Sequence, residues 1–311
     1  MVSVVIPCFN SAHTLGLQLE SLARQATGAP PFEVVVVDNR STDDPASVVR
    51  DSRTRFQLDV RLIDASAVAG TAYARNVGVR HARGEAILFC DADDLVGSRF
   101  VEFGARTLED APLFSGAATP VRADEFPRSV DEAWAILDEQ AEWIPPTTGL
   151  QSRGIPVLMG GAFGMRKAAY VALGGFDQSL AISGEDNDFG LRAVASGVPI
   201  AESVCVKVAY RTSTDDRLRM IKVGRESEAR ALLVRRYGLN PEAVFPGWRL
   251  APLRAAAAAV KSKVLRSGPD VDRAIRERWV AASRFASGMV RYSHARRRPA
   301  PQIGMGLRGG E

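Results

Sequence analysis

The stretch Phe89-Cys90-Asp91-Ala92-Asp93-Asp94 decides how the chain is read. It closes an apolar run that begins at Ala86 and has the length and composition of a buried parallel strand. Three carboxylates follow at the carboxyl end of that strand, where ligands collect in open α/β sheets. Asp91 and Asp93 flank a single alanine, so both can turn toward one point just beyond the strand. Two hard anionic oxygens there suit a divalent cation that keeps several waters and takes further ligands from a substrate diphosphate. An acidic turn that caps the next helix would read the same in isolation. The surrounding chain separates the two.

Upstream, residues 2–6 (Val-Ser-Val-Val-Ile) form a β-rich run that ends at Pro7, and Asn10 or Ser11 can cap a helix carrying Leu15, Leu19 and Leu22. A second buried strand over 32–37 runs into Asp38-Asn39-Arg40-Ser41-Thr42-Asp43-Asp44, and a weaker one spans 60–63. Residues 70–82 read as a helix, broken by Gly84 just before the acidic strand. Strands alternating with helices imply βαβ units and a mostly parallel sheet. No Gly-x-Gly-x-x-Gly and no Gly-Lys-Ser/Thr loop is present, which disfavours dinucleotide enzymes and P-loop NTPases. Asp38 ends strand two as Asp91 ends strand four; it can accept bonds from a ribose or base, or it can open an Asx turn. Arg75, on the helix before the acidic strand, can pair with Asp91, reach a phosphate, or form a surface ion pair.

Downstream the pattern is less regular. A helix over 99–108, a strand over 113–121 and a helix with a following loop over 126–158 are expected, the last taken to hold acceptor contacts. Gly160-Gly161-Ala162-Phe163-Gly164-Met165 is a glycine-rich strand where backbone can approach a ligand closely. A short helix over 167–173 ends at Gly174-Gly175. Glu185 and Asp186 then open another helix, either as ordinary amino-terminal acids or with one of them as a general base. A strand over 204–210 and a long basic helix over 215–237 follow.

The chain has 311 residues, 46% hydrophobic and 24% charged, with no apolar stretch of the roughly 18 residues that a spanning helix needs. The amino terminus enters a strand pattern at once, so no signal peptide is expected. Cys8, Cys90 and Cys205 are widely spaced among apolar residues and read as buried free thiols of a reducing cytoplasm. With three histidines, His-rich metal chemistry is disfavoured. The net charge of +4 conceals an asymmetry: residues 249–298 hold thirteen Lys/Arg and three Asp/Glu, a net of +10. Because Arg308 and Glu311 cancel, residues 1–248 carry −6.

Taken together, the motifs resemble the family-2-like glycosyltransferases with a GT-A fold. The resemblance rests on Val-Ser-Val-Val-Ile-Pro-Cys-Phe-Asn at 2–10, Val-Val-Asp-Asn-Arg-Ser-Thr-Asp at 36–43 and Ala-Arg-Asn-Val-Gly at 74–78. Phe-Cys-Asp-Ala-Asp-Asp at 89–94, Gly-Gly-Phe-Asp at 174–177 and Gly-Glu-Asp at 184–186 complete the ordered set. It implies an α/β GT-A catalytic domain over 1–240, with a nucleotide-binding half (1–95) and an acceptor half (96–240). It also implies inverting transfer of a sugar from a nucleotide-diphosphate donor to a hydroxyl of a glycan, lipid-linked or small-molecule acceptor. By the same resemblance Asp38 binds the donor base or ribose, Arg75 lies near the nucleotide, and Pro7, Asn10 and Ala92 belong to the nucleotide site. Asp93, with Asp91, is implied to bind Mg2+ or Mn2+; Asp186 is the implied base, with Glu185 shaping its site. Two departures stand out. Where some relatives carry a metal-binding histidine this chain reads Lys207-Val208-Ala209-Tyr210-Arg211, and Asn39-Arg40 replaces the more frequent Asp-Gly.

Residues 241–298 are expected to form a basic helical extension, and 299–311 a disordered tail. Helices over 254–265 and 271–292, the second with Trp279, Phe285, Met289 and Tyr292 along one stripe, either pack on the domain or contact an anionic membrane. The expected location is cytoplasmic, with peripheral attachment to the inner face of the plasma membrane if the second option holds. The acidic body argues against nucleic acid as a partner. A non-catalytic sugar-nucleotide or membrane-binding relative is the alternative function. An Asp-x-Asp phosphotransferase is disfavoured, because its aspartates should follow the first strand.

Overall fold

The computed structural model describes residues 1–137, 142–148, 151–152, 154–156, 158–180, 183–265 and 268–308. Its strands are β1 (Val2–Cys8), β2 (Phe32–Asp38), β3 (Val60–Asp64), β4 (Ala86–Cys90), β5 (Leu95–Val96), β6 (Leu113–Arg122), β7 (Thr147–Thr148), β8 (Gln151–Ser152), β9 (Ile155–Pro156), β10 (Ala162–Arg166) and β11 (Ala201–Thr212). The helices are α1 (Ala12–Ala23), α2 (Pro45–Phe56), α3 (Thr71–His81), α4 (Phe100–Asp110), α5 (Val130–Leu137), α6 (Lys167–Ala172), α7 (Glu185–Ala195), α8 (Asp216–Tyr237), α9 (Pro241–Val244), α10 (Ala251–Leu265) and α11 (Pro269–Arg291).

One sheet runs in the order β3-β2-β1-β4-β10-β6-β11-β5, with β7 added at β11. Pairing is parallel through β3-β2-β1-β4 and between β6 and β11. The inserted β10 is antiparallel to both its neighbours. Alternate residues of each strand point to opposite faces. Accordingly Val4, Ile6, Val34 and Val36 bury against Leu15 and Leu19 of α1, Val49 of α2 and Phe100 of α4. Val5, Val35, Val37 and Phe89 bury on the other side against Ala74 and Val77 of α3, with Tyr170 of α6 and Phe189 of α7. Helices on both faces explain why β1, β2 and β4 carry apolar residues toward both sides, with Ser3 and Glu33 as buried polar exceptions bonded to each other.

α3 lies unusually close to the sheet. A side chain at Gly78 would begin 2.4 Å from Val5 Cγ1, so only glycine lets the helix sit there. That approach buries Arg75 and Asn76 completely enough to leave them 3% and 0% exposed. Asn76 spends its whole amide on distant backbone and side-chain groups. Its Nδ2 donates to the carbonyls of Phe176 (3.0 Å) and Met305 (2.9 Å). Its Oδ1 accepts from Tyr170 OH (2.6 Å) and from the Phe176 N–H (2.8 Å).

The Met305 contact corrects one expectation. Residues 299–308 are ordered against the body of the fold, where a disordered tail over 299–311 was expected; residues 309–311 lie outside the described residues. Ile303 bridges to Asp177, Gln302 N–H donates to Asp177 Oδ1 at 2.8 Å, and Arg80 Nη1 donates to the Arg308 carbonyl at 3.2 Å. The basic extension also packs inward. Phe285 and Met289 of α11 are buried with Ala231 and Val234 of α8, and Phe245 stacks on Phe285 with ring centroids 5.0 Å apart. The expected stripe on α11 is therefore partly core, while Trp279 stays 48% exposed. No helix among the described residues is long and apolar enough to cross a membrane.

Replacing Asn76 with alanine would orphan the Tyr170 hydroxyl, the Phe176 N–H and the Met305 carbonyl, at about 1–3 kcal/mol per buried group. The expected outcome is a loss of about 3 kcal/mol or more in urea unfolding. A loss below about 1 kcal/mol would contradict the assignment of Asn76 as the clasp between α3 and the tail.

Candidate active site

Beyond the carboxyl end of β4 two acidic segments and a glycine segment meet around one cation. The Arg75 guanidinium donates from Nη2 to Asp91 Oδ1 (3.0 Å) and to the Gly160 carbonyl (3.0 Å), and from Nη1 to Glu185 Oε1 (3.1 Å). Phe176 closes its remaining side, with the guanidinium carbon 5.5 Å from the ring centroid. Burial alone would lower the Arg75 pKa, but Asp91, Glu185 and Asp186 together raise it, so the guanidinium stays charged. One side chain thus ties the end of β4, the glycine segment before β10 and the start of α7.

The three aspartates after β4 take different positions. Asp91 is 30% exposed, and its carbonyl accepts from Gln18 Nε2 at 3.1 Å. Asp93 opens to the cleft, yet the protein around it desolvates its carboxyl, and this with the Asp91 charge pushes the pKa up. Asp94 is 1% exposed; Oδ1 accepts from the Arg211 N–H at 2.9 Å, while Oδ2 is buried without a hydrogen-bond partner among the described residues. Burial, then Asp91 and Asp93, raise the Asp94 carboxyl to about 9. Gly161 is required beside them, since a side chain there would begin 2.7 Å from Asp91 Oδ2 and 3.2 Å from Asp94 Oδ2.

This crowd of oxygen donors, with one orphaned carboxylate oxygen, fits a hard divalent cation that takes most of its ligands from water and phosphate. Among the described residues no group of three or more His, Cys, Asp or Glu side chains forms a ready-made metal cage. Protein donors would therefore be few, with Asp93 and Asp91 the accessible ones. At the position of the missing histidine, Lys207 Nζ is bound to the Leu137 carbonyl and turned away. Arg211 is the residue that stays: its Nε donates to the Asp93 carbonyl at 3.0 Å, and its guanidinium lies 3.6 Å over the Phe126 ring.

Two hollows adjoin Arg75, Asp91 and Glu185. One, of about 340 Å³, is lined by Pro7, Asn39, Thr71, Ala74, Ala92 and Asp93 besides. The other, of about 750 Å³, is lined by Gly160, Asp186, Tyr210 and one face of α8. Asp186 lies on that second side, with its Oδ1 accepting the Asn187 N–H at 2.7 Å. Burial first, and Glu185 second, push its carboxyl up to about 7. Neither Glu185 nor Asp186 caps α7 in the ordinary way: the cap position is Gly184, at φ 88°, and Glu185 is held by Arg75.

Of the residues singled out in the sequence, Pro7, Arg75, Asp91, Ala92, Asp93 and Glu185 share the smaller hollow. Asp186 faces the larger one. Asp38 Oδ1 accepts from the Ser41 N–H at 3.0 Å, the Asx-turn geometry. Asn10 is bound into the same loop, its Oδ1 accepting from the Thr42 N–H at 2.7 Å. Asn39 is buried, holding the carbonyls of Ala65 and Val68 and the Gly70 N–H. Arg40 adopts φ 70°, the left-handed conformation that makes glycine frequent at such a position. It is held there by the carbonyls of Ser66 and Ala67. Acceptor contacts were expected in 126–158, of which 138–141, 149–150, 153 and 157 lie outside the described residues. Trp134 there donates to the Val96 carbonyl, and Trp143 packs on Phe103, so both are structural. The wall of the larger hollow comes instead from Leu218, Ile221, Lys222, Arg225 and Arg230 of α8. A signal existed in the sequence, because apolar residues at 218 and 221 share a helical face with cations at 222 and 225.

Residues 3–174 match the sequence profile of glycosyl transferase family 2. TarS of Staphylococcus aureus, a poly(ribitol-phosphate) β-N-acetylglucosaminyltransferase, is 37% identical over 112 residues, which are 36% of this chain and 18% of TarS. A validoxylamine A glucosyltransferase of Streptomyces hygroscopicus is 28% identical over 226 residues, 65% of this chain and 53% of that one. The chain therefore matches about a fifth to a half of the length of these curated relatives. In architecture it is similar to a mannosyltransferase of Pyrobaculum calidifontis solved with GDP-Man and Mn2+, with a TM-score of 0.63, 20% identity, and coverage of 91% of this chain and 85% of that one. TarS residues 1–349 solved with UDP align with a TM-score of 0.52 and 18% identity, covering 94% and 90%. The fold is that of the GT-A glycosyltransferases. With its profile match spanning more than half of the sequence and its acidic motif at the end of β4, the chain belongs to glycosyl transferase family 2.

Proposed function

We propose that this protein is an inverting glycosyltransferase that moves a sugar from a nucleotide-diphosphate donor to an acceptor hydroxyl. The observation that carries the reading is the placement of Arg75 between two hollows, joining Asp91 of the motif to Glu185 beside Asp186. The nucleotide occupies the smaller hollow along Pro7, Arg75 and Ala92, with Asp38 and Asn10 shaping its outer loop. Asp93, with Asp91, holds Mg2+ or Mn2+, and the chemistry that such a cation supplies is neutralisation of charge on the departing diphosphate. The acceptor enters the larger hollow. Asp186 takes the proton of its hydroxyl as that oxygen bonds to the anomeric carbon and the bond to the diphosphate breaks. Attack opposite the leaving group inverts the configuration. Glu185 orients Arg75 and contributes to the raised basicity of Asp186.

The test is a thermal-shift series with UDP, GDP, dTDP and CDP sugars, with and without Mn2+. A ligand at about 100 times its Kd adds roughly 2.7 kcal/mol to the native state. One nucleotide should give a Mn2+-dependent shift that Asp93→Ala abolishes and Asp186→Asn preserves. No shift with any nucleotide overturns the reading in favour of a non-catalytic relative.

A carboxylate with a folded pKa of about 7 is a base only above that pH. The kcat/KM of the free enzyme should rise with pH through about 7 and then level off. Asp186→Asn should remove that limb and about 10²–10⁴-fold of the rate. A profile without an acidic limb near this pH would exclude Asp186 as the base.

The location proposed is cytoplasmic, peripheral on the inner face of the plasma membrane. Leu250 and Leu253 are 52% and 69% exposed on the basic extension, adjoining exposed Arg249 and Arg254 in the chain, and Val290 is 68% exposed next to Arg291. Basic residues gain roughly 1 kcal/mol each near an anionic surface. The protein should float with phosphatidylglycerol vesicles at low salt and release at high salt; failure to float removes the membrane from the list of partners.

A further inference from the structure

The larger hollow is polar in an uneven way. Its floor is acidic, formed by Asp91, Glu185 and Asp186 around Arg75, and its α8 wall is basic, with Lys222, Arg225 and Arg230. Two other cations of α8 have carboxylate partners, while Arg235 is held by the Met289 carbonyl. Arg219 faces Glu277 at 3.8 Å, and Arg236 pairs with Asp177 at 2.7 Å. Arg225 and Arg230 have no carboxylate within ion-pair distance among the described residues, and Lys222 is bonded to the Tyr210 hydroxyl. Glu226, the one acid on this face, stands near Lys222 and Asp186 and raises the Asp186 carboxyl. The wall therefore keeps a net positive charge turned toward the hollow.

Lys222 and Arg230 are eight residues apart, about 12 Å along the helix axis. That length exceeds one anionic group and suits a chain that carries several. Guanidinium groups fix such anions with paired, directional hydrogen bonds. The acidic floor repels the same anions from the reacting centre, so a neutral hydroxyl is the part of the acceptor that can approach Asp186. We infer that the acceptor is polyanionic, bearing phosphate-type groups that Lys222, Arg225 and Arg230 hold while the adjoining hydroxyl reaches Asp186. This rests on the glycosyltransferase reading for the role of Asp186; the charge of the wall is independent of it.

The test is equilibrium binding of a fluorescein-labelled glycerol phosphate hexamer to the full chain, with unlabelled glycerol oligomer as the neutral competitor. Arg225→Glu/Arg230→Glu should weaken hexamer binding by about tenfold or more, the loss expected for charge-assisted bonds. Arg53→Glu/Arg55→Glu, an equal charge change on exposed residues of α2, should leave it within twofold. If the first variant does not fold, Arg225→Gln/Arg230→Gln is read in its place. Equal losses in both pairs would reduce the effect to net charge and overturn the inference, as would displacement by the neutral oligomer. A second arm measures co-sedimentation with phosphatidylcholine vesicles with and without phosphatidic acid. Loss of vesicle binding in the α8 variant, with hexamer binding weak throughout, assigns the anion to a lipid headgroup; the reverse assigns it to a soluble chain. Binding of the nucleotide identified in the thermal-shift series, with Mn2+, should be unchanged in the α8 variants. Absence of binding by every nucleotide of that series in the unmodified protein would sink the donor reading and leave the basic wall standing.

Discussion

A buried guanidinium needs carboxylates around it, and the site is arranged to provide them. Arg75 can be 3% exposed only because Asp91, Glu185 and the Gly160 carbonyl receive its protons. Stripping one partner from a buried pair costs about 3–5 kcal/mol, since the remaining charge is left in low dielectric. The position of Arg75 in turn depends on α3 lying against the sheet, which Gly78 permits. A backbone fact, the absence of one Cβ, thereby fixes the distance between the acidic strand end and the start of α7.

The carboxylates that Arg75 does not hydrogen-bond account for the rest of the electrostatics. Asp94 cannot share the guanidinium, sits beneath Asp91 and Asp93, and is pushed up to about 9. Asp186 is buried beside Glu185 and moves to about 7. Both shifts record burial first and neighbouring negative charge second. Positive charge has been placed at the perimeter instead, at Arg211 near Asp93 and along α8. Such segregation favours ligands whose charge is divided in the complementary way.

Much of the frame was legible in the sequence. The strands at 2–8, 32–38 and 86–90 are apolar over most of their length, and α3 and α7 carry ordered motifs, so β1, β2, β4 and the residues at their ends could be assigned from pattern. Less legible were features whose causes are remote in the chain. Residues 299–308, with Pro299, Pro301, Gly304 and Gly306, have the composition of a loose tail, and their order depends on Asn76, Arg80 and Asp177. Asn10, which the resemblance puts at the nucleotide site, closes the β2 loop through Thr42, a partner that no local pattern announces. The α8 wall was hidden because its charges read as a solvated face until the fold sets them opposite Asp186.

The bond from Asn76 to the Met305 carbonyl also orders events in time. It closes a loop of 229 residues, so the pocket behind Arg75 is incomplete while the chain is being synthesised. Strands β1 to β4 can pair as they leave the ribosome, yet α3 must wait for a segment that emerges far later. Closing so long a loop carries a conformational-entropy cost and belongs to the slow, high-contact-order part of folding. The acidic strand end that reads first in the sequence is therefore among the last parts of the molecule to acquire its final surroundings.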